Sequence, residues 1–199
     1  MMPTGLVLVA LSEPVCKIMK GNKWKAKFKY YDFGTMLNAN ETGYFPYTPA
    51  MTLMRGLRTA TDMLLEEGLE NVWARHRKIA SGVRKAVERW GLYTQPFNKE
   101  TCSDTVTAVN TMDKIDANQV IEHAYHKYGI SLGAGLGPLN GNVFRIGHLG
   151  WLNETMMLQV LSGVELTLAD LGYKFQPGSG VGAAIETYIG KIFVTSYRV

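Results

Sequence analysis

The chain has 199 residues, of which 46% are hydrophobic and 19% charged, and its formal net charge is +4. This composition suits one large or two small globular domains with a real core. No apolar run reaches the roughly 18 residues that a membrane span needs, and the apolar start lacks the basic leader of a signal peptide. Cys16 and Cys102 have no metal-site or redox spacing. We therefore expect no membrane association and a cytoplasmic chain with reduced thiols.

The first predicted element is a strand at residues 5–11, a continuous apolar run typical of a strand buried on both faces. The next good strand candidates follow only after several helices, so this strand would lack its neighbours in a sheet. A short helix is predicted at 13–20, with Ser12 as its N-cap.

A basic segment follows, in which six lysines between Lys17 and Lys29 alternate with Trp24 and Phe28. Such a segment is one form of nucleic-acid patch. Charge runs are more often solvated surface, and we predict no nucleic-acid partner.

Two long helices are predicted after a short one at 33–40 and an aromatic loop at 43–49. The first begins with Thr48 as N-cap and Pro49 at the first helical position, and it ends near Glu67. The second, at 69–90, carries one apolar stripe and places its basic residues, Arg75 among them, on the solvent side.

The remaining pattern predicts a small α/β sandwich. Its elements are a strand at 105–110, a helix at 116–128, strands at 130–132 and 143–148, and a helix at 153–171. Residues 176–182 have the composition of a glycine-rich linker. A short helix and an apolar tail are predicted beyond it.

An arginine lies inside the apolar strand at 143–148. Side chains alternate across a strand, so Arg145 shares a face with Val143 and Gly147, opposite Phe144 and Ile146. Burying an unpaired guanidinium is very unfavourable. Arg145 therefore meets either a carboxylate of the protein or the carboxylate of a ligand, which its planar fork matches with two hydrogen bonds. The segment alone leaves both alternatives open.

Three stretches together resemble one known family. They run from Tyr44 to Ala50, from Glu66 to His76 and from Val143 to Gly150. In that order and spacing they resemble the class V pyridoxal-phosphate aminotransferases, in the serine–glyoxylate and alanine–glyoxylate branch. The Arg-Ile-Gly-His-Leu-Gly form of the third stretch is most similar to the bacterial serine–glyoxylate type. The resemblance extends from residue 1 to about 182.

The resemblance implies an α/β fold, the C-terminal part of a fold-type I pyridoxal-phosphate-dependent transferase. Residues 1–68 would be the end of the large cofactor-binding domain with a dimer-interface helix. Residues 69–92 would be a linking helix, 93–175 a small C-terminal α/β domain, and 176–199 a tail.

The resemblance also implies roles for individual residues. Arg145 would bind the substrate carboxylate. Thr48 would reach across a homodimer to the neighbour's cofactor phosphate, flanked by Tyr44, with Phe45 as the competing alignment. The reaction would move an amino group from serine, alanine or aspartate to glyoxylate, with pyridoxal 5'-phosphate as cofactor. The family's Schiff-base lysine would lie just before residue 1, so no catalytic residue is expected in this chain.

Other interpretations of the chain remain open. Without that lysine it would be a non-catalytic fragment or partner module, or less favourably a basic nucleic-acid-binding protein. His123 and His126 have the spacing of a metal pair but no third ligand, so we predict no metal site. His148 would either line the mouth of the site or be a satisfied core histidine, and the second is favoured.

Overall fold

The computed structural model of the chain describes residues 2–20, 28–96 and 98–190. These residues form two compact units, one ending at Glu66 and the other beginning at Glu67. Much of the predicted basic segment (21–27) and the end of the predicted tail (191–199) lie outside the described residues. In the part that is described, no helix is long and apolar enough to cross a membrane.

The first unit is built from helices. They are α1 (Glu13–Lys20), α2 (Phe33–Glu41) and nearly all of α3 (Met51–Glu67). Asp32 caps α2, since its carboxylate accepts a hydrogen bond from the Gly34 amide at 3.0 Å. An ion pair between Lys20 and Glu41 joins α1 to α2.

The strand predicted at residues 5–11 is not formed, and that prediction is wrong. Val7 and Leu8 are 81% and 75% exposed, in backbone that pairs with no strand among the described residues. A strand needs a neighbour to satisfy its amide and carbonyl groups. Among its described residues the first unit contains no other strand to pair with it.

This exposed segment leads us to expect that the 199-residue chain self-associates. Unpaired extended backbone with apolar side chains recruits other chains. In sedimentation velocity experiments, the average sedimentation coefficient should therefore increase with protein concentration. Replacing Val7 and Leu8 together by serine should shift the distribution towards monomer. A monodisperse wild-type monomer at high concentration would contradict this expectation.

The second unit combines four helices with a four-stranded antiparallel sheet of order β1-β2-β4-β3. Its elements are α4 (Leu69–Arg89), β1 (Tyr93–Gln95), β2 (Val106–Asn110), α5 (Ala117–Tyr128), β3 (Gly133–Ala134), β4 (Val143–Gly147), α6 (Glu154–Asp170) and α7 (Ser179–Ile189). The long helix, the central strands and the helices α5 and α6 agree with the pattern of the sequence to within one or two residues.

One core lies between the helices and one face of the sheet. Val109 of β2 and Phe144 and Ile146 of β4 point into it, together with the predicted apolar stripe of α4. The other face of the sheet carries Arg145, opposite Ala108 on one side and Gly133 on the other. This arginine therefore lies on the face of the sheet away from that core, where it is half-buried within the unit.

The strand predicted at 130–132 begins later than expected, at Gly133. Gly129 ends α5 in the left-handed conformation, and the amide of Ile130 donates to the carbonyl of Ala124 at 3.0 Å. The amide of Gly129 donates to the carbonyl of Tyr125 at 3.1 Å, which is the single bond of the αL type of helix end. The chain is still closing the helix at residue 130, so pairing with β4 starts only at Gly133.

The predicted linker at 176–182 is largely helical, because α7 begins inside it at Ser179. Gly180 packs so closely on the indole of Trp90 that an added Cβ would lie 2.3 Å from its Nε1. Gly180 thus serves close packing within a helix, so composition alone predicted the wrong state. The finer division into a linking helix, a small domain and a tail stays a prediction.

Candidate functional site

Arg145 lies at the centre of β4 and is half-buried. Its Nε donates a hydrogen bond to the carbonyl oxygen of Ala134 at 2.9 Å. Among the described residues, no carboxylate lies within ion-pair distance of its guanidinium, although other arginines of the unit have such partners. The sequence left two partners open for Arg145, a carboxylate of the protein or one of a ligand. The first, a structural ion pair, is not formed among the described residues.

Glycines surround this arginine on the open face. Gly133 lies directly beneath its side chain. An added Cβ at Gly147 would meet nothing within 4 Å, so the space beside Arg145 is open on that side. After β3 the glycine-rich stretch turns through a short 3-10 helix at Gly137–Leu139. The arrangement offers a cation on a floor of small residues, which suits a planar anion.

The residue that follows this strand, His148, is part of the core, as favoured from the sequence. It is fully buried, its Nδ1–H donates to the carbonyl of Asp104 at 3.0 Å, and its Nε2 accepts from the hydroxyl of Thr107 at 2.8 Å. These partners hold the neutral ring in one tautomer. Burial lowers the pKa of His148 from 6.5 to about 4.

We expect this histidine to make stability depend on pH. Between pH 6.5 and 4 the unfolded chain binds a proton at His148 that the folded chain does not, so the free energy of unfolding falls as pH falls. The decrease reaches roughly 3 kcal/mol below pH 4, at about 1.4 kcal/mol per pKa unit. Above pH 6.5 it is absent. The free energy of unfolding, measured by urea denaturation across this range, should fall more steeply with decreasing pH in the wild type than in His148→Gln. Equal slopes in the two proteins would refute the assignment, and the comparison removes the effect of carboxylates that titrate nearby.

Arg75 fixes the segment after β4, a role that the sequence did not reveal. Its Nε and Nη2 bind the two carboxylate oxygens of Glu67 at 2.6 and 2.8 Å. Its Nη1 donates to the carbonyls of Gly150 and Leu152 at 2.9 and 3.3 Å. The prediction that Arg75 faces solvent is wrong, because its guanidinium is half-buried between α4 and this segment.

His76 adds a further bond to the same segment. Its Nδ1–H donates to the carbonyl of Val72 at 2.7 Å, and its Nε2 accepts from the amide of Gly150 at 3.1 Å. The structure thus joins two of the stretches that carry the family resemblance, 66–76 and 143–150. In the sequence, the joint occurrence of these two stretches was the one indication that they belong together. Helical periodicity does not predict a contact between residues 74 positions apart.

Thr48 and Tyr44, the predicted phosphate ligands, lie in the first unit. Both are exposed, as is the competing Phe45, and neither hydroxyl makes a hydrogen bond within the described residues. Helix α3 begins at Met51, so Thr48 is not its N-cap and that prediction is wrong. Pro49 lies before the helix, where its ring limits the preceding residue to extended backbone.

His123 and His126, which have the spacing of a metal pair, both lie on α5. His123 Nε2 instead meets Asp170 at 2.9 Å, and Lys127 and Tyr128 donate to the same carboxylate oxygen. These hydrogen bonds lower the pKa of Asp170 well below its usual range. In the described residues no group of three metal-ligating side chains is assembled.

Comparison with known proteins agrees with the sequence resemblance. No family model matches the chain. It is 45% identical over 188 residues to serine–glyoxylate aminotransferase of Hyphomicrobium methylovorum, covering 94% of this chain and 46% of that protein. It is 42% identical to L-aspartate–glyoxylate aminotransferase of Paracoccus denitrificans, covering 94% and 47%.

A solved structure shares the fold. Ureidoglycine–glyoxylate aminotransferase of Bacillus subtilis matches with a TM-score of 0.78 at 26% identity, over 89% of this chain and 46% of that one. The chain therefore spans about half the length of the relatives it matches. By sequence and by fold the chain is thus similar to about half of a glyoxylate aminotransferase.

Proposed function

We propose that this chain is part of a pyridoxal-phosphate-dependent aminotransferase that moves an amino group from a small amino acid to glyoxylate. The names of the relatives support the reaction and its acceptor. The observation that carries the proposal is Arg145, a cation on the open face of the sheet with no acidic partner among the described residues. Serine, alanine and aspartate are the candidate donors.

In this proposal Arg145 holds the carboxylate that amino donor and 2-oxo acid share. A charge-assisted fork fixes both the position and the plane of that group. The bond from the α-carbon to hydrogen is thereby oriented for the chemistry, which the cofactor supplies as an electron sink when it is bound. Arg75 and His76 keep the segment beside Arg145 in place through their bonds to Gly150.

The residues proposed for the cofactor phosphate fit an anion. Thr48 and Tyr44 present exposed hydroxyls with no partner among the described residues, and hydroxyl groups donate readily to phosphate. We propose that they serve the cofactor of the neighbouring subunit in a homodimer. The two free thiols, Cys16 and Cys102, support a cytoplasmic location.

The lysine that holds the cofactor lies outside this chain in the proposal. We therefore expect no stoichiometric lysine labelling when the 199-residue chain is mixed with pyridoxal phosphate, reduced with borohydride and digested for peptide mapping. A complete enzyme, expressed with the sequence that relatives carry before this region, should label one lysine and transaminate glyoxylate.

Two outcomes separate this proposal from its alternatives. Labelling of a single lysine in the chain, with turnover, would contradict the expected position of the lysine. A complete enzyme that transaminates no small amino acid would refute the proposed function and leave the non-catalytic module.

A further inference from the structure

The orientation of Arg145 restricts how it could hold a carboxylate. Its Nε–H is already used, because it donates to the Ala134 carbonyl at 2.9 Å. Neither Nη1 nor Nη2 makes a hydrogen bond among the described residues. A guanidinium offers two paired edges to a carboxylate, a side edge with Nε and one terminal nitrogen, and an end with both terminal nitrogens. In this structure only the end with Nη1 and Nη2 remains available to a carboxylate.

Gly133 makes that orientation sterically accessible. It pairs with Arg145 across the β3–β4 ladder. A Cβ added at Gly133 would lie 3.1 Å from Nε, 3.2 Å from the Cβ and 3.4 Å from the Cζ of Arg145. These separations are shorter than ordinary carbon–carbon van der Waals contact at about 3.5–4.0 Å. Any side chain at this position would lift the arginine from β3.

Backbone conformation gives no second reason for this glycine. The glycines with positive φ are elsewhere, among them Gly129 and Gly137, and Gly133 is not one of them. An alanine could adopt the same backbone, so the feature that matters at this position is the missing side chain. The glycine and the Ala134 carbonyl together determine the direction of the guanidinium.

We propose that Gly133 is a positioning residue for substrate binding. It seats Arg145 flat across β3, so that Nη1 and Nη2 hold the α-carboxylate of the amino donor and of glyoxylate end-on. This inference rests on the proposed function and adds the geometry of recognition. Because one end of one guanidinium serves both substrates, a change at Gly133 affects both of them alike.

The kinetic test compares Gly133→Ala and Gly133→Val in the complete enzyme. An alanine displaces the arginine by a few tenths of an ångström, and we expect KM for donor and glyoxylate to rise together by roughly 3- to 10-fold, since a misplacement of about 1 Å costs on the order of 100-fold. Valine should raise both further. The matched control is Gly182→Ala in α7, where an added Cβ meets nothing within 4 Å and KM should not change.

The outcomes distinguish this inference from the proposed function. A wild-type enzyme without transamination refutes the function. An active wild type whose KM values survive Gly133→Val unchanged overturns the positioning role alone. Single-turnover reaction of the enzyme with ethanolamine, an amine without a carboxylate, measured in the absence of glyoxylate, should be insensitive to both Gly133 variants.

A crystal structure of the complete wild-type enzyme with acetate tests the geometry even if the variants fail to fold. Acetate bound by Nη1 and Nη2, with Nε still on the Ala134 carbonyl, is the expected result. Side-on binding through Nε would overturn the inference, and so would the absence of acetate from Arg145 at saturating concentration.

Discussion

Arg145→Ala in the complete enzyme is expected to lower kcat/KM for the amino donor and for glyoxylate by roughly 30- to several-thousand-fold. The estimate follows from a loss of about 2–5 kcal/mol when one partner of a buried charged pair is truncated, at about 1.4 kcal/mol per decade. Cofactor absorbance and melting temperature should change little, because among the described residues the side chain of Arg145 makes a single hydrogen bond, that to the Ala134 carbonyl. Arg145→Lys should recover part of the activity, since an ammonium cannot form the fork.

A matched arginine provides the control. Arg84 is half-buried in the same unit and pairs with Asp104 at 3.2 Å. Arg84→Ala should lower the melting temperature and leave kcat/KM nearly unchanged, the reverse of the pattern for Arg145→Ala. If Arg145→Ala instead destabilised the enzyme while the folded protein kept normal kinetics, Arg145 would be a structural residue and the substrate-binding proposal would fail.

The placement of Arg145 was predictable from the sequence, because it depends on local rules. Alternation along a strand assigned Phe144 and Ile146 to the core and Arg145 to the other face, as the burial shows. The long helix α4 and the caps of α5 were likewise encoded by nearby residues, such as Asp116 and Gly129. Strong periodicity with matching end signals leaves little choice of structure.

The contacts that complete the candidate site were not predictable, since they join distant parts of the chain. Nothing local indicates that Arg75 will bind the carbonyl of Gly150, or that Gly133 will lie under Arg145. The strand predicted at 5–11 failed for a related reason. Its apolar pattern requires neighbouring strands, and the first unit offers none among its described residues.

Helix α7 also depends on a contact between distant residues, which is made by one buried carboxylate. Glu165 of α6 is 7% exposed. Its Oε1 accepts from the indole Nε1 of Trp90 at 3.0 Å and from the amide of Gly180 at 2.8 Å. Its Oε2 accepts from the amide of Gly178 at 2.6 Å. A carboxylate at the N-terminus of a helix satisfies free amides and opposes the positive end of the helix dipole. The glycine-rich stretch is helical because this distant residue caps it.

Glu165→Ala is therefore expected to lower the free energy of unfolding by roughly 3–5 kcal/mol, because several buried donors lose their acceptor at about 1–3 kcal/mol each and partly recover through water. Glu165→Gln keeps one acceptor oxygen and should cost about 1–2 kcal/mol, since its amide group meets the Gly178 amide. Urea denaturation of the 199-residue chain at one low concentration measures both. Glu186→Ala on the exposed side of α7 should change stability by less than about 0.5 kcal/mol. If Glu165→Ala matched that control, α7 would be held by packing and this cap would contribute nothing to stability.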